Sequence, residues 1–199
     1  MSEQLPNDPE MEPLTRNQVL VAMGVTAVFL LLISKLWLQF GSVSMLPLDG
    51  SGFAVPLGIG LGLGITATSS LIYRLWPAYR HSADFYLNLV LKPLLWPDLI
   101  WLGLLPGLSE ELLFRGVMFA ALGLNIASLI VSSCVFGVLH LSGPQQWPYA
   151  IWATLVGLLL GFSAWQTGNL LIPILAHVTA NLVSSCLWKL DEGKTVNDG

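Results

Sequence analysis

The amino-acid sequence predicts an all-α protein, a polytopic transmembrane helical bundle of about six spans. Three observations predict it. The 199 residues are 54% hydrophobic and only 10% charged, where a soluble domain carries about 25% charged residues. Mean hydropathy is +0.71. Apolar runs recur near the length of about 20 residues that a helix needs to cross the hydrocarbon core at about 1.5 Å rise per residue.

The elements follow in order. Residues 1–18 read as a disordered N-terminal tail, polar and mostly acidic, with Pro6, Pro9 and Pro13. A secretory signal would instead begin with basic residues and end its short apolar core on small ones. The first span is Val19–Phe40 and the second Gly52–Trp76. The stretch Pro77–Pro97 contains Arg80, His81, Asp84 and Lys92, which fits a loop with an interfacial helix between spans two and three. The third span is Asp98–Leu122, interrupted by Pro106. The fourth is Asn125–His140, the fifth Trp147–Trp165 and the sixth Leu170–Trp188. Ser142–Gln146 and Gln166–Asn169 are turns. Residues 189–199 form a C-terminal tail. One transmembrane domain, 19–188, therefore holds a chemistry-bearing core at 98–188.

Basic residues orient the bundle. Six spans place Arg16, Arg74, Arg80, Lys92, Lys189 and Lys194 on one side, with both termini, and that side is the cytoplasm. Lys35 lies near the far end of the first span, where it can snorkel. The membrane is a plasma membrane or an internal one such as a thylakoid. Trp37, Trp76, Trp147, Trp165 and Trp188 fall near span ends and anchor at the interfaces. Cys134 and Cys186 lie in apolar runs and read as small hydrophobes; their spacing makes no metal motif. The net charge of −4 says little because so few charges exist, and no basic patch points to nucleic acid as a partner. The expected partners are the lipid bilayer and a membrane-associated peptide or protein.

Between Leu99 and Trp188 only Glu110, Glu111 and Arg115 are charged. Ionisable groups are costly in a membrane and mark function. Three strings matter: Glu110 to Arg115, Phe136 to His140, and His177 to Asn181. Residues four apart share a helix face, so Glu111 and Arg115 pair, and each partly offsets the cost of burying the other. Glu110 points about 100° around the helix from Glu111 and is free to face His140 and His177. A carboxylate beside two imidazoles can hold and deprotonate a water. The imidazoles, with Asn181, can alternatively bind a divalent metal that activates the water. Either arrangement is hydrolytic.

These strings, in this order, resemble the CAAX prenyl protease and bacteriocin-processing (CPBP, or Abi) family of intramembrane metalloproteases. Ser109-Glu110-Glu111-Leu112-Leu113-Phe114-Arg115-Gly116 is close to the family's first motif, and Thr167-Gly168-Asn169-Leu170 ahead of His177 also fits. The resemblance covers about Leu99 to Leu187. It implies an all-helical intramembrane endopeptidase that cuts membrane-associated substrates. Glu110 matches the family's water-activating glutamate, His140 and His177 its two histidines, and Asn181 its oxyanion-supporting asparagine. Glu111 and Arg115 match the supporting pair. A zinc cofactor on His140, His177 and Glu110 is chemically compatible with the resemblance, as is a metal-independent glutamate mechanism. The family also contains self-immunity and scaffold proteins, so a non-proteolytic membrane regulator is the alternative. The segments show no paired broken helices of the kind that mark secondary transporters.

Overall fold

The computed structural model describes residues 13–50 and 52–197, with side chains to residue 193. The tail expected at 1–18 lies mostly outside these residues. All its described regular structure is helical.

Helix α1 (Arg16–Phe40) starts three residues ahead of the hydropathy boundary at Val19, because a capping box precedes it. Gln18 N donates to Thr15 Oγ1 at 3.3 Å, and Thr15 N donates to Gln18 Oε1 at 2.8 Å. Helix α2 is Ala54–Leu75. Helix α3 (Pro77–Leu91) opens with proline at its first position and closes in a π-helical turn. Helix α4 (Trp96–Leu122) is bent 107° from α3 across a short break. That angle turns α3 out of the line of α4. Helices α5 (Ile126–Leu139), α6 (Trp147–Thr167) and α7 (Leu171–Asn197) complete the bundle. Helix α7 runs past Trp188, so residues 189–197 extend a helix where a tail was expected.

All six expected spans are helical and in the expected order, but they are unequal. Among the described residues four helices are long and apolar enough to cross a membrane: α1, α2, α6 with its preceding turn, and α7. The bent pair α3–α4 makes a fifth if its two arms count as one span. Helix α5 has 14 residues, a rise of about 21 Å against about 30 Å of hydrocarbon. The exposed Val21, Phe29, Leu32, Val131, Val138 and Leu155 are the lipid face of a protein built as an integral membrane bundle.

Small residues let the helices approach closely, as membrane packing requires. Helix α7 lies between α2 and α4. A Cβ on Gly62 of α2 would sit 2.5 Å from the Ala176 carbonyl oxygen, and one on Gly107 of α4 would sit 2.5 Å from Val178 Cγ2. Helices α5 and α6 cross as closely: a Cβ on Gly137 would meet Ala150 O at 2.7 Å. These contacts fix how α4, α5 and α7 are rotated about their axes, and so where their polar side chains point.

The two ends of the bundle are tied differently. At the α1 start, Arg16 forms a bidentate pair with Asp98, 2.6 and 2.7 Å, and Asp98 Oδ2 also accepts from Leu95 N at 2.8 Å. At the other end, residues 41–50 fold back into the bundle. Leu46 packs with Ala164, Leu170 and Ile174, and Leu170 N donates to Pro47 O at 2.9 Å. Asn169 binds both backbone groups of Asp49, at 3.1 and 2.7 Å, and caps α7 through Leu171 N at 3.0 Å. Gly168, with φ +62°, makes the left-handed turn that ends α6.

Candidate active site

A cavity of about 960 Å³ enters the bundle between the helices, lined by residues of all seven. Glu110 on α4, His140 at the end of α5, and His177 and Asn181 on α7 all face it. The four residues singled out as chemical groups therefore share one space. Glu111 and Arg115 lie behind them with side chains 0% exposed.

Glu110 Oε2 lies 3.8 Å from His140 Nε2 and 4.0 Å from His177 Nε2. This oxygen is buried and has no hydrogen-bond partner among the described residues. Both imidazoles are turned the same way. His140 Nδ1 is 2.8 Å from the Phe136 carbonyl oxygen, and His177 Nδ1 is 2.8 Å from Glu111 Oε1. Both partners act as acceptors, so Nδ1 carries the proton on each ring and Nε2 keeps its lone pair. Two lone pairs and a carboxylate oxygen thus converge on one point of the cavity. Asn181, one turn beyond His177, lines the same space, and its side-chain amide makes no hydrogen bond among the described residues.

The supporting layer does more than pair charges. Glu111 Oε1 accepts from Arg115 Nη1 at 2.8 Å as well as from His177. Arg115 Nη2 donates to the Gly157 carbonyl at 2.9 Å, and its guanidinium carbon lies 4.5 Å from the centre of the Phe136 ring. That ring stands 6.0 Å from His177 and 4.5 Å from His140. The guanidinium reaches this place because Gly157 leaves room: a Cβ there would lie 3.0 Å from Nη2. A π-helical stretch, Leu112–Met118, follows the glutamates; such interruptions recur at functional sites.

A water fits the converging atoms directly. Hydrogen bonds of about 2.7–3.0 Å to each group accommodate separations near 4 Å. A zinc is matched in donor type, with two imidazole nitrogens and a carboxylate. Its tetrahedral bonds of about 2.0–2.1 Å would place the donors about 3.4 Å apart, closer than they stand. Accordingly, among the described residues no group of three or more His, Cys, Asp or Glu is drawn together as a metal would hold it.

Residues 92–183 match the model of the type II CAAX prenyl endopeptidase Rce1-like family. This segment of the chain is similar to the Rce1-like family. It contains the four cavity-facing groups and the buried pair behind them. An uncharacterized protein, YpbD of Bacillus subtilis strain 168, is 40% identical over 90 residues, 45% of each chain. An uncharacterized protein of Mycoplasma capricolum is 36% identical over 83 residues, 40% of this chain and 24% of its own. The chain thus spans less than half the length of these curated relatives. No solved structure matches. Outside the Rce1-like segment, α1 and α2 contribute apolar and hydroxyl side chains to the cavity, such as Met23, Ile65 and Ser69.

Three features of the site were not visible in sequence: the Glu111–His177 bond, the Gly157 carbonyl under Arg115, and Tyr86 of α3 at the cavity wall. The pairs Gly103/Gly107 and Gly157/Gly161, each four apart, were the available signal for close helix approach.

Proposed function

We propose that the protein is an intramembrane endopeptidase that hydrolyses peptide bonds of membrane-associated substrates with a Glu110, His140, His177 and Asn181 site. The observation that supports it most is the buried, unpartnered Glu110 Oε2 with two imidazole lone pairs about 4 Å away. The Rce1-like match over the same residues supports the reaction class.

In this reading a water donates one O–H to Glu110 and the other to an Nε2. Glu110 takes the first proton as the water oxygen attacks the scissile carbonyl carbon. Asn181 donates its amide hydrogen to the oxyanion that forms. Glu110 then returns the proton to the amine nitrogen as the C–N bond breaks, leaving an amine and a carboxylic acid that keeps the water's second proton until it ionises in solvent. Glu111 keeps the His177 proton on Nδ1 throughout, and Phe136 O does the same for His140. A zinc, if the protein binds one, would be held by His140, His177 and Glu110 after a small contraction, and would polarise the water as a Lewis acid. The helices are oriented with both chain ends and α3 on the cytoplasmic side.

The test is cleavage in reconstituted vesicles carrying a library of membrane-anchored peptides, with wild type beside Glu110→Gln. Products formed by wild type and absent with the variant establish the activity. Equal product in both removes Glu110 as the base. Intact peptides throughout, together with a stable captured membrane partner, would favour the regulator alternative.

A further inference from the structure

His140 is held quite differently from His177. His177 is gripped by a wholly buried carboxylate, but His140 sits at the C-cap of α5 with its side chain 27% exposed. Its only ring anchor among the described residues' hydrogen bonds is the carbonyl of its own helix at Phe136. The ring can therefore be no better placed than the turn that carries it. Carbonyls at a helix end lack intrahelical partners and leave the last turn loose unless something binds them.

Here the binding group comes from α3. Tyr86 donates its hydroxyl to the His140 carbonyl oxygen. The same hydroxyl accepts from Ser142 N at 3.1 Å. One oxygen thus closes the backbone turn on both sides of Leu141. The Tyr86 ring is fixed in turn, 4.3 Å from the Tyr149 ring, which lies 6.3 Å from the His140 ring. Four residues before Tyr86, buried Ser82 donates to Gln145 O at 3.4 Å. Helix α3 therefore holds the 140–146 loop at both ends, but only the Tyr86 contact touches the histidine's own peptide.

We propose that Tyr86 is a positioning residue for His140: its hydroxyl sets the turn from which the imidazole reaches Glu110. The proposal rests on the hydrolytic reading of the site and adds to it a residue outside the matched 92–183 segment. The hydroxyl is already engaged by the His140 carbonyl and Ser142 N, so its removal is expected to act on turnover more than on substrate binding.

Two readouts keep this proposal separable from the proposed activity. The first is nitrogen NMR of histidine-labelled protein in detergent, where the chain's three histidines are His81, His140 and His177 and His140→Gln identifies its signal. Tyr86→Phe keeps the ring stack and removes the hydroxyl. It should shift or broaden the His140 signal and leave that of His177 in place, while Ser82→Ala leaves both. The second readout is kinetic: kcat of Tyr86→Phe falls about tenfold, with KM within about twofold. An unmoved His140 signal overturns the proposal, as does an equal shift in Ser82→Ala or an unchanged kcat in an active enzyme. If the wild type cleaves nothing, the proposed function falls and the NMR comparison still decides whether Tyr86 sets His140.

Discussion

Glu111 Oε1 lies 2.8 Å from His177 Nδ1, across the α4–α7 contact, while the same oxygen holds Arg115 at 2.8 Å. The carboxylate read from sequence as a charge partner therefore also orients the ring whose other nitrogen faces Glu110. Such outer partners fix the tautomer and direction of a working imidazole.

The two adjacent glutamates are expected to fail in different ways. Glu110→Gln keeps shape and loses the base, so turnover disappears while the thermal midpoint barely moves. Glu111→Gln leaves Arg115 charged and buried without its counter-ion, a loss of about 3–5 kcal/mol, and it also loosens His177. Activity per folded molecule and melting in detergent, measured on both variants, check this. An Glu111→Gln protein as stable as wild type would remove the ion pair from the argument.

Asn181→Ala is expected to lower kcat by roughly a hundredfold or more with little change in KM, the pattern of a lost oxyanion donor. Its amide faces the cavity with no competing hydrogen bond among the described residues. Single-turnover kinetics would separate this from slower product release. Near-normal turnover would make Asn181 a packing residue.

Gly157→Ala tests the slot that receives the guanidinium. The added methyl would meet Arg115 Nη2 at 3.0 Å and Ser133 Cα at 3.3 Å. Overpacking of this kind costs about 1–3 kcal/mol, and here it displaces Arg115 from the Gly157 carbonyl. Gly24→Ala on α1 meets nothing within 4 Å and should be neutral or stabilising by up to about 1 kcal/mol, the helix-propensity gain. Paired melts of the two variants give the comparison.

Orientation is open to labelling. In a protein lacking Cys134 and Cys186, a single cysteine at position 80 on α3 is expected to react with an impermeant reagent only from the cytoplasmic side. Reaction from the opposite side would invert the bundle.

Much of this was legible because membranes impose simple rules. Apolar run lengths located the six expected spans, the charged stretch after Trp76 marked α3, and the scarcity of charge elsewhere isolated Glu110, Glu111 and Arg115. Helical spacing placed Glu111 over Arg115 and His177 over Asn181. Boundaries shifted where local bonds overrode hydropathy, as at Thr15 and Gln18, and α7 continued past the apolar stretch. Contacts between helices were not legible. Whether Glu111 meets His177 depends on the rotation of α4 against α7, which the Gly107–Val178 contact sets. Tyr86 carried no signal in the sequence, because its contact depends on how α3 lies beside the end of α5.

The fold-back of residues 41–50 also bears on the cavity. The cavity that reaches the ionisable groups is lined by residues of the helices and their ends. None of its lining residues comes from this segment. Leu46 lies packed among Ala164, Leu170 and Ile174, and Asn169 latches the strap in place through Asp49. Among the described residues the strap is thus separate from the cavity, packed around Leu46 rather than lining it.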